Sequence, residues 1–307
     1  MELLMRARVG LGRAYVLGGA ALRMKWLGAK LRQVTTKGGL RFPYVHAGYP
    51  RRGQLVWLHG FADHPVTFLE AAGHLLNDYE IFAPAMPGFA GPRPRDATYT
   101  FAAYTRWLTE FLDALRLDGV HLAGNSLGGA AALGIALESP QRLVSLSVVD
   151  NAGVHVDGVR SLTHEVLEGK ILFEVRTKAD YDRFVQRVYH RPPKVPSVVR
   201  DFLYEEISGR ADWYCKLILD LQQGEKSAHA DNPAWLHHRL SEIQTPTQVI
   251  WGEHDSFFPL PLGELTAEKI PGATLHVLPD TGHCPHIERP EQLANLLQRF
   301  AETSAAH

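Results

Sequence analysis

Gly124-Asn125-Ser126-Leu127-Gly128 is the stretch from which the rest of this chain is read. It has the form G-x-S-x-G and sits between two runs of opposite character. Gly119-Val120-His121-Leu122-Ala123 leads in as a buried strand, and the alanine-rich stretch from Gly129 to Leu137 leads out as a helix. A strand-to-helix turn this tight holds its central residue in a strained conformation and presents the serine hydroxyl at the sheet edge. Glycine is needed two residues before and two after, because a Cβ there would meet neighbouring backbone.

A serine hydroxyl is a poor nucleophile until an imidazole takes its proton, and the imidazole needs a buried carboxylate to fix its tautomer. Both partner types follow downstream. Asp255 in Trp251-Gly252-Glu253-His254-Asp255 comes just after the apolar strand Thr247-Gln248-Val249-Ile250. His283 in Thr281-Gly282-His283 follows a second strand, Thr274 to Leu278. The order Ser126, Asp255, His283 is one of the known chain orders of such a triad. Asp150 also follows a strand end, Val144 to Val149, and is the reserve candidate for the acid. Two backbone N–H groups are required to hold a developing oxyanion. Leu127, just after the serine, supplies one; Phe61, after the strand Leu55-Val56-Trp57-Leu58 and the turn His59-Gly60, supplies the other.

With these residues in view the chain resembles serine hydrolases of the α/β-hydrolase superfamily, and within it bacterial lipases and esterases related to the monoacylglycerol lipases. The matching stretches run from about Leu40 to Phe300. They are His59-Gly60-Phe61, Pro87-Gly88-Phe89, Gly124 to Gly129, Asp150-Asn151-Ala152-Gly153-Val154, Trp251 to Asp255, and Gly282-His283 with Glu288-Arg289-Pro290-Glu291. The loop Ala85-Met86-Pro87-Gly88-Phe89-Ala90-Gly91-Pro92 departs from the family's Asp-x-Pro-Gly-x-Gly-x-Ser. The resemblance implies an α/β fold: a mostly parallel central sheet flanked by helices, with an inserted helical cap.

The periodicities agree with that layout. Strands and helices alternate from Leu40 to Ala152, with an early edge strand bounded by Gly38-Gly39 and Ala47-Gly48. Phe101 to Leu115 carries apolar residues at helical spacing. From Val154 onward strand signals give way to amphipathic helices interrupted by Pro192-Pro193 and Pro196. The expected division is a basic N-terminal extension at 1–39, core at 40–153, helical cap at 154–238 and core again at 239–307. The cap is expected to roof the elbow and supply an apolar acyl pocket. Phe173, Phe202, Trp213 and Tyr214 are the chosen lining residues, with Phe184, Tyr189, Tyr204 and Trp235 as further candidates. Two or three of the eight are expected to touch substrate, because most aromatics at helical spacing pack a cap onto itself.

Net charge is −1, with 32 Lys and Arg against 33 Asp and Glu, so no overall field steers nucleic acid or acidic substrates. Residues 1–40 stand apart, holding eight of the basic residues against one acid, Glu2. Their uncharged run, Ala14 to Leu22, is too short to span a bilayer. Four glycines there, Gly10, Gly12, Gly18 and Gly19, argue against a long helix. Three readings of the extension stay open: peripheral contact with an anionic membrane surface through residues 1–37, packing beside the cap, or a flexible segment. Cys215 and Cys284 give no disulfide framework and suggest a reducing, cytoplasmic compartment. Cys284, beside His283, reads as a small buried apolar residue.

The leading expectation is a serine carboxylic-ester hydrolase acting on acylglycerols or other lipid-like esters through an acyl-enzyme, with no metal or organic cofactor. Two alternatives stand beside it: a carbon–carbon bond hydrolase of ring-fission products, and a non-enzymatic ligand-binding protein on a hydrolase scaffold.

Overall fold

The computed structural model describes residues 2–89, 93–222 and 236–305. Ala90-Gly91-Pro92 of the departing loop and the pocket candidate Trp235 lie outside them.

Eight strands form one sheet: β1 (Lys30–Thr35), β2 (Arg41–Gly48), β3 (Gly53–Leu58), β4 (Tyr79–Pro84), β5 (Val120–Asn125), β6 (Leu143–Val149), β7 (Thr247–Gly252) and β8 (Thr274–Leu278). Their spatial order is β1-β2-β4-β3-β5-β6-β7-β8. β2 runs antiparallel to both β1 and β4, and every other pairing is parallel. The helices are α1 (Glu2–Trp26), α2 (Leu69–Ala72), α3 (Phe101–Leu115), α4 (Leu127–Glu138), α5 (Leu162–Leu167), α6 (Lys178–Val188), α7 (Ser197–Ser208), α8 (Ala211–Gln222), α9 (Leu260–Lys269), α10 (Pro285–Glu288) and α11 (Pro290–Ser304).

Central strands covered on both faces have to be apolar on both, and each residue's parity decides which layer it joins. Val56, Leu58, Leu122, Val148 and Val249 pack with α3, α4 and the cap. Leu55, Trp57, Ala123, Val149 and Ile250 point the other way, against α2 and α11. Each Val, Leu or Ile side chain buried this way contributes about 1.5–3 kcal/mol. α3 shows how the ends are set. The Thr100 hydroxyl accepts from Ala103 N at 3.2 Å, and Arg116 closes the helix in the left-handed region at φ 56°.

Among the described residues, the α-helices between β6 and β7 are α5 to α8. Pro192, Pro193 and Pro196 fall between α6 and α7, where helical backbone hydrogen bonds are not required. The first strand, β1, lies inside the stretch expected to be an extension, as the sheet's outermost strand.

The N-terminus differs from the expectation drawn from its glycines. Glu2–Trp26 is one continuous helix packed on α7. A Cβ at Gly12 would come within 1.9 Å of the Val198 carbonyl oxygen, so this glycine lets the two backbones meet. Arg8 anchors the contact, donating to Asp201 Oδ2 at 2.8 Å and to Ser197 Oγ at 3.0 Å. Tertiary packing thus outweighs the helix propensity lost at glycine, about 1 kcal/mol per residue. Among the described residues no helix is long and apolar enough to cross a membrane.

Candidate active site

Ser126 stands at the junction of β5 and α4 with φ 56° and ψ −116°, a region that side chains other than glycine avoid. Its surroundings hold it there. Ser126 N donates to Val149 O at 2.9 Å, while its carbonyl accepts from Ala130 N at 3.0 Å and Ala152 N at 3.1 Å. The flanking glycines are needed as the motif requires. A Cβ at Gly124 would lie 2.4 Å from Gly128 O, and one at Gly128 would lie 2.4 Å from Leu58 O.

His283 and Asp255 come together from separate loops. His283 Nδ1 and Asp255 Oδ2 are 2.7 Å apart, and both side chains are buried. The other oxygen of Asp255, Oδ1, accepts from Phe257 N at 2.7 Å and Phe258 N at 3.1 Å, so the carboxylate is fixed through both oxygens. The rings of Phe257 and Phe258 pack on the imidazole at 4.6 and 5.5 Å between centroids. The imidazole's peptide group is held at both ends. His283 N donates to Val188 O in the cap at 3.0 Å, and Asn125 Nδ2 donates to His283 O at 3.0 Å.

Asp150, the reserve acid, is fully buried beside this pair. Carboxylate oxygens of Asp150 and Asp255 and a ring nitrogen of His283 lie within 4.8 Å of one another. It is Asp255 that meets the imidazole. A second such grouping, His190, His254 and Asp280, is at the surface, where Arg191 pairs with Asp280 at 2.8 Å.

Phe61 and Leu127 border the same cavity as Ser126 and His283. Gly60 is tight against the serine: a Cβ there would be 3.3 Å from Ser126 Cβ. The shape of this loop depends on His59, whose role the sequence did not disclose. Its Nδ1–H donates to Gly60 O at 2.8 Å, and its Nε2 accepts from Met86 N at 3.0 Å. Burial lowers the His59 pKa to about 4, keeping the ring neutral with one nitrogen free to accept. A second unforeseen pair joins this loop to the His283 loop: His286 Nε2 and Asp63 Oδ2 are 3.1 Å apart. Burial works to raise the Asp63 pKa, but the hydrogen bond and charge of His286 outweigh it and hold the carboxyl below its usual range. The Cys284 thiol is buried and its pKa is driven well up by that burial, so it stays protonated and unreactive.

The cavity measures about 790 Å³. Five of the eight aromatic candidates line it: Phe173, Phe184, Tyr189, Phe202 and Tyr214. Trp213 does not. Its indole N–H donates to Gly88 O at 2.6 Å and its ring packs edge-on to Tyr99, because on α8 it points towards the core loop rather than the cavity. Tyr204 turns outward as well, donating to Arg176 O at 3.1 Å. The unexpected part of the lining is α1, which contributes Val16, Leu17, Ala20, Ala21 and Met24. The uncharged run Ala14 to Leu22 was the available signal, but sequence does not show what such a run faces.

A model of the alpha/beta hydrolase family matches residues 55–296, most of the chain. The chain belongs to the alpha/beta hydrolase family. It is related to the family's lipases. It is 29% identical to Lipase 3 of Moraxella sp. (strain TA144), over 89% of this chain and 85% of that one. Identity to the human (Homo sapiens) monoacylglycerol lipase ABHD6 is 26%, over 89% and 82%. Among solved structures, a membrane phospholipase A described as a bacterial virulence factor superposes with a TM-score of 0.88 at 24% identity, covering 99% of this chain and 97% of that one. At that identity the likeness speaks for the fold.

Proposed function

We propose that this alpha/beta hydrolase is a serine carboxylic-ester hydrolase acting on lipid-like esters, acylglycerols foremost. The observation that carries the reading is the meeting of a strained serine and a carboxylate-bound histidine at one apolar cavity of about 790 Å³. Ser126 Oγ attacks the ester carbonyl while His283 takes its proton. The carbonyl oxygen becomes an oxyanion facing the amides of Phe61 and Leu127. His283 then gives the proton to the departing alcohol, leaving an acyl-enzyme. Water deprotonated by His283 hydrolyses that ester and restores the serine. Asp255 fixes the imidazole with Nδ1 protonated and stabilises the imidazolium. Phe173, Phe202 and Tyr214 form part of the acyl pocket.

The cavity lining disfavours the carbon–carbon alternative. A dienoate ring-fission product carries a carboxylate and calls for a free cation. Arg210 is the single Lys or Arg in the lining among the described residues, and its guanidinium is paired with Glu206 at 2.7 Å.

The outer side of α1 suits a lipid surface. Leu11, Tyr15, Leu22 and Trp26 are exposed, Trp26 to 82%, on a segment rich in Arg and Lys. Aromatic and apolar side chains flanked by basic residues attract an anionic interface. In this reading α1 rests on a membrane with its inner side lining the cavity, so that an acyl chain passes from one to the other.

The first test is hydrolysis of esters from acetyl to long-chain acyl and of a monoacylglycerol, with Ser126→Ala as control. Activity peaking at medium or long chains and lost by orders of magnitude in the variant supports the reading. Absence of Ser126-dependent turnover on every ester overturns it.

A further inference from the structure

Asp150 and Asp255 are buried acids just past the C-terminal ends of two adjacent parallel strands, β6 and β7. Hydrogen-bond donors are shared unequally between them. Asp255 accepts from Phe257 N, Phe258 N and His283 Nδ1. Asp150 accepts from Gly252 N at 2.8 Å through Oδ1, while its Oδ2 is buried with no donor. Two unscreened carboxylates within 4.8 Å are not both kept ionised away from water. The proton stays on the acid with fewer donors, because each N–H aimed at a carboxylate favours its charged form. A proton on Oδ2 would give this otherwise partnerless oxygen an acceptor in the neighbouring Asp255 carboxylate.

We propose that Asp150 is a positioning residue for the triad: a neutral carboxylic acid whose Oδ2–H donates a hydrogen bond to the Asp255 carboxylate. The proposal rests on the reading of His283 as the base and Asp255 as its orienting acid. Burial, then the charge of Asp255, drives the Asp150 carboxyl well above the usual carboxylate range, against the pull of the Gly252 N–H. The titratable groups facing Asp150 are Asp255, His283, Cys284 and Glu288. The two carboxylates among them, Asp255 and Glu288, oppose its ionisation, and the buried Cys284 thiol stays neutral. Backbone geometry fits a fixed role: Asp150 sits at φ 45°, and its N–H is tied to Ile250 O at 3.0 Å. A donor on Asp255 lowers its basicity, so the carboxylate accepts from His283 Nδ1 without taking the proton. The site then holds one net negative charge instead of two.

The test compares pH profiles of kcat/KM, whose acidic limb reports the base. Asp150→Asn keeps the shape and puts an amide N–H where the O–H is proposed, without changing the charge of a neutral acid. Its acidic limb is expected to coincide with that of the wild type. Asp150→Leu removes the donor, leaves Asp255 more basic, and is expected to move the limb up. If Asp150 is instead ionised, Asp150→Asn removes a negative charge beside the imidazolium. The limb then drops by about one pH unit or more, which overturns the proposal. A second readout needs no turnover. The infrared difference between wild type and Asp150→Asn at neutral pH is expected to show a protonated-carboxyl band in the wild type, and its absence also overturns the proposal. If no ester is turned over, the functional reading fails while the infrared measurement still decides the protonation of Asp150. If Asp150→Leu does not fold, the near-isosteric Asn variant and the spectrum suffice.

Discussion

Asn125 and His283 are joined directly: the Asn125 amide donates to the His283 main-chain carbonyl at 3.0 Å and to Val149 O at 3.2 Å. The residue before the proposed nucleophile therefore ties down the loop that carries the proposed base. Asn125→Ala is expected to lower kcat by about 10- to 100-fold with KM little changed, since an ångström of misplacement carries a cost of that order. Steady-state kinetics on the best ester measures it. A rise in KM at unchanged kcat would assign Asn125 to substrate binding instead.

The contribution of α1 to the cavity makes a prediction about chain length. Ala20 and Ala21 are small residues of the lining. Ala20→Trp is expected to reduce the ratio of long-chain to short-chain kcat/KM by about 10-fold or more, the scale of a few methylenes excluded from an apolar pocket. An unchanged ratio would place the acyl chain elsewhere in the cavity.

Gly12 tests how α1 is held. Gly12→Val puts side-chain atoms where Val198 O already lies, so α1 must move off α7. Loss of activity on anionic vesicles, with a soluble short-chain ester still cleaved, is the expected result. A vesicle-sedimentation assay checks whether the protein still binds.

The partly buried Asp63–His286 pair joins the loop after β3 to the His283 loop. Asp63→Asn weakens a charge-assisted bond and is expected to cost about 1–3 kcal/mol of stability, read from urea unfolding. Lower kcat is expected beside it, because one loop carries the proposed base and the other the proposed oxyanion donor.

Two buried histidines set the acid response of the fold. Burial lowers the pKa of His59 and of His121 to about 4 each. Between the ordinary histidine value, about 6.5, and 4, the unfolded chain binds protons that the folded one refuses. Their contribution is thus fully present above pH 6.5 and lost as pH falls towards 4. Thermal unfolding followed from pH 7 to pH 4 is expected to show a steady decline, shallower in a variant carrying His121→Asn.

The elbow was legible because its signal is local: glycine, serine and the change from strand to helix periodicity all lie within about twenty residues. Asp255 and His283 were legible through their places after strands. The pocket was less so. Trp213 and Tyr214 are neighbours on α8, and one residue of helical rotation sends the first to Gly88 and the second into the cavity. The glycines of α1 read as helix weakeners, yet Gly12 is required by the close approach to Val198.

By itself, the sequence determined the sheet's alternation, the strained serine, and the chain order of the residues that gather around it. Those are consequences of period, turn sterics and residue chemistry along a short stretch of chain. Only the tertiary structure decided that Asp150 is pressed against Asp255, that His286 meets Asp63, and that α1 walls the cavity. Each of these contacts joins distant segments. Their partners are chosen by which buried groups must satisfy one another once water is excluded, and no local pattern records that choice.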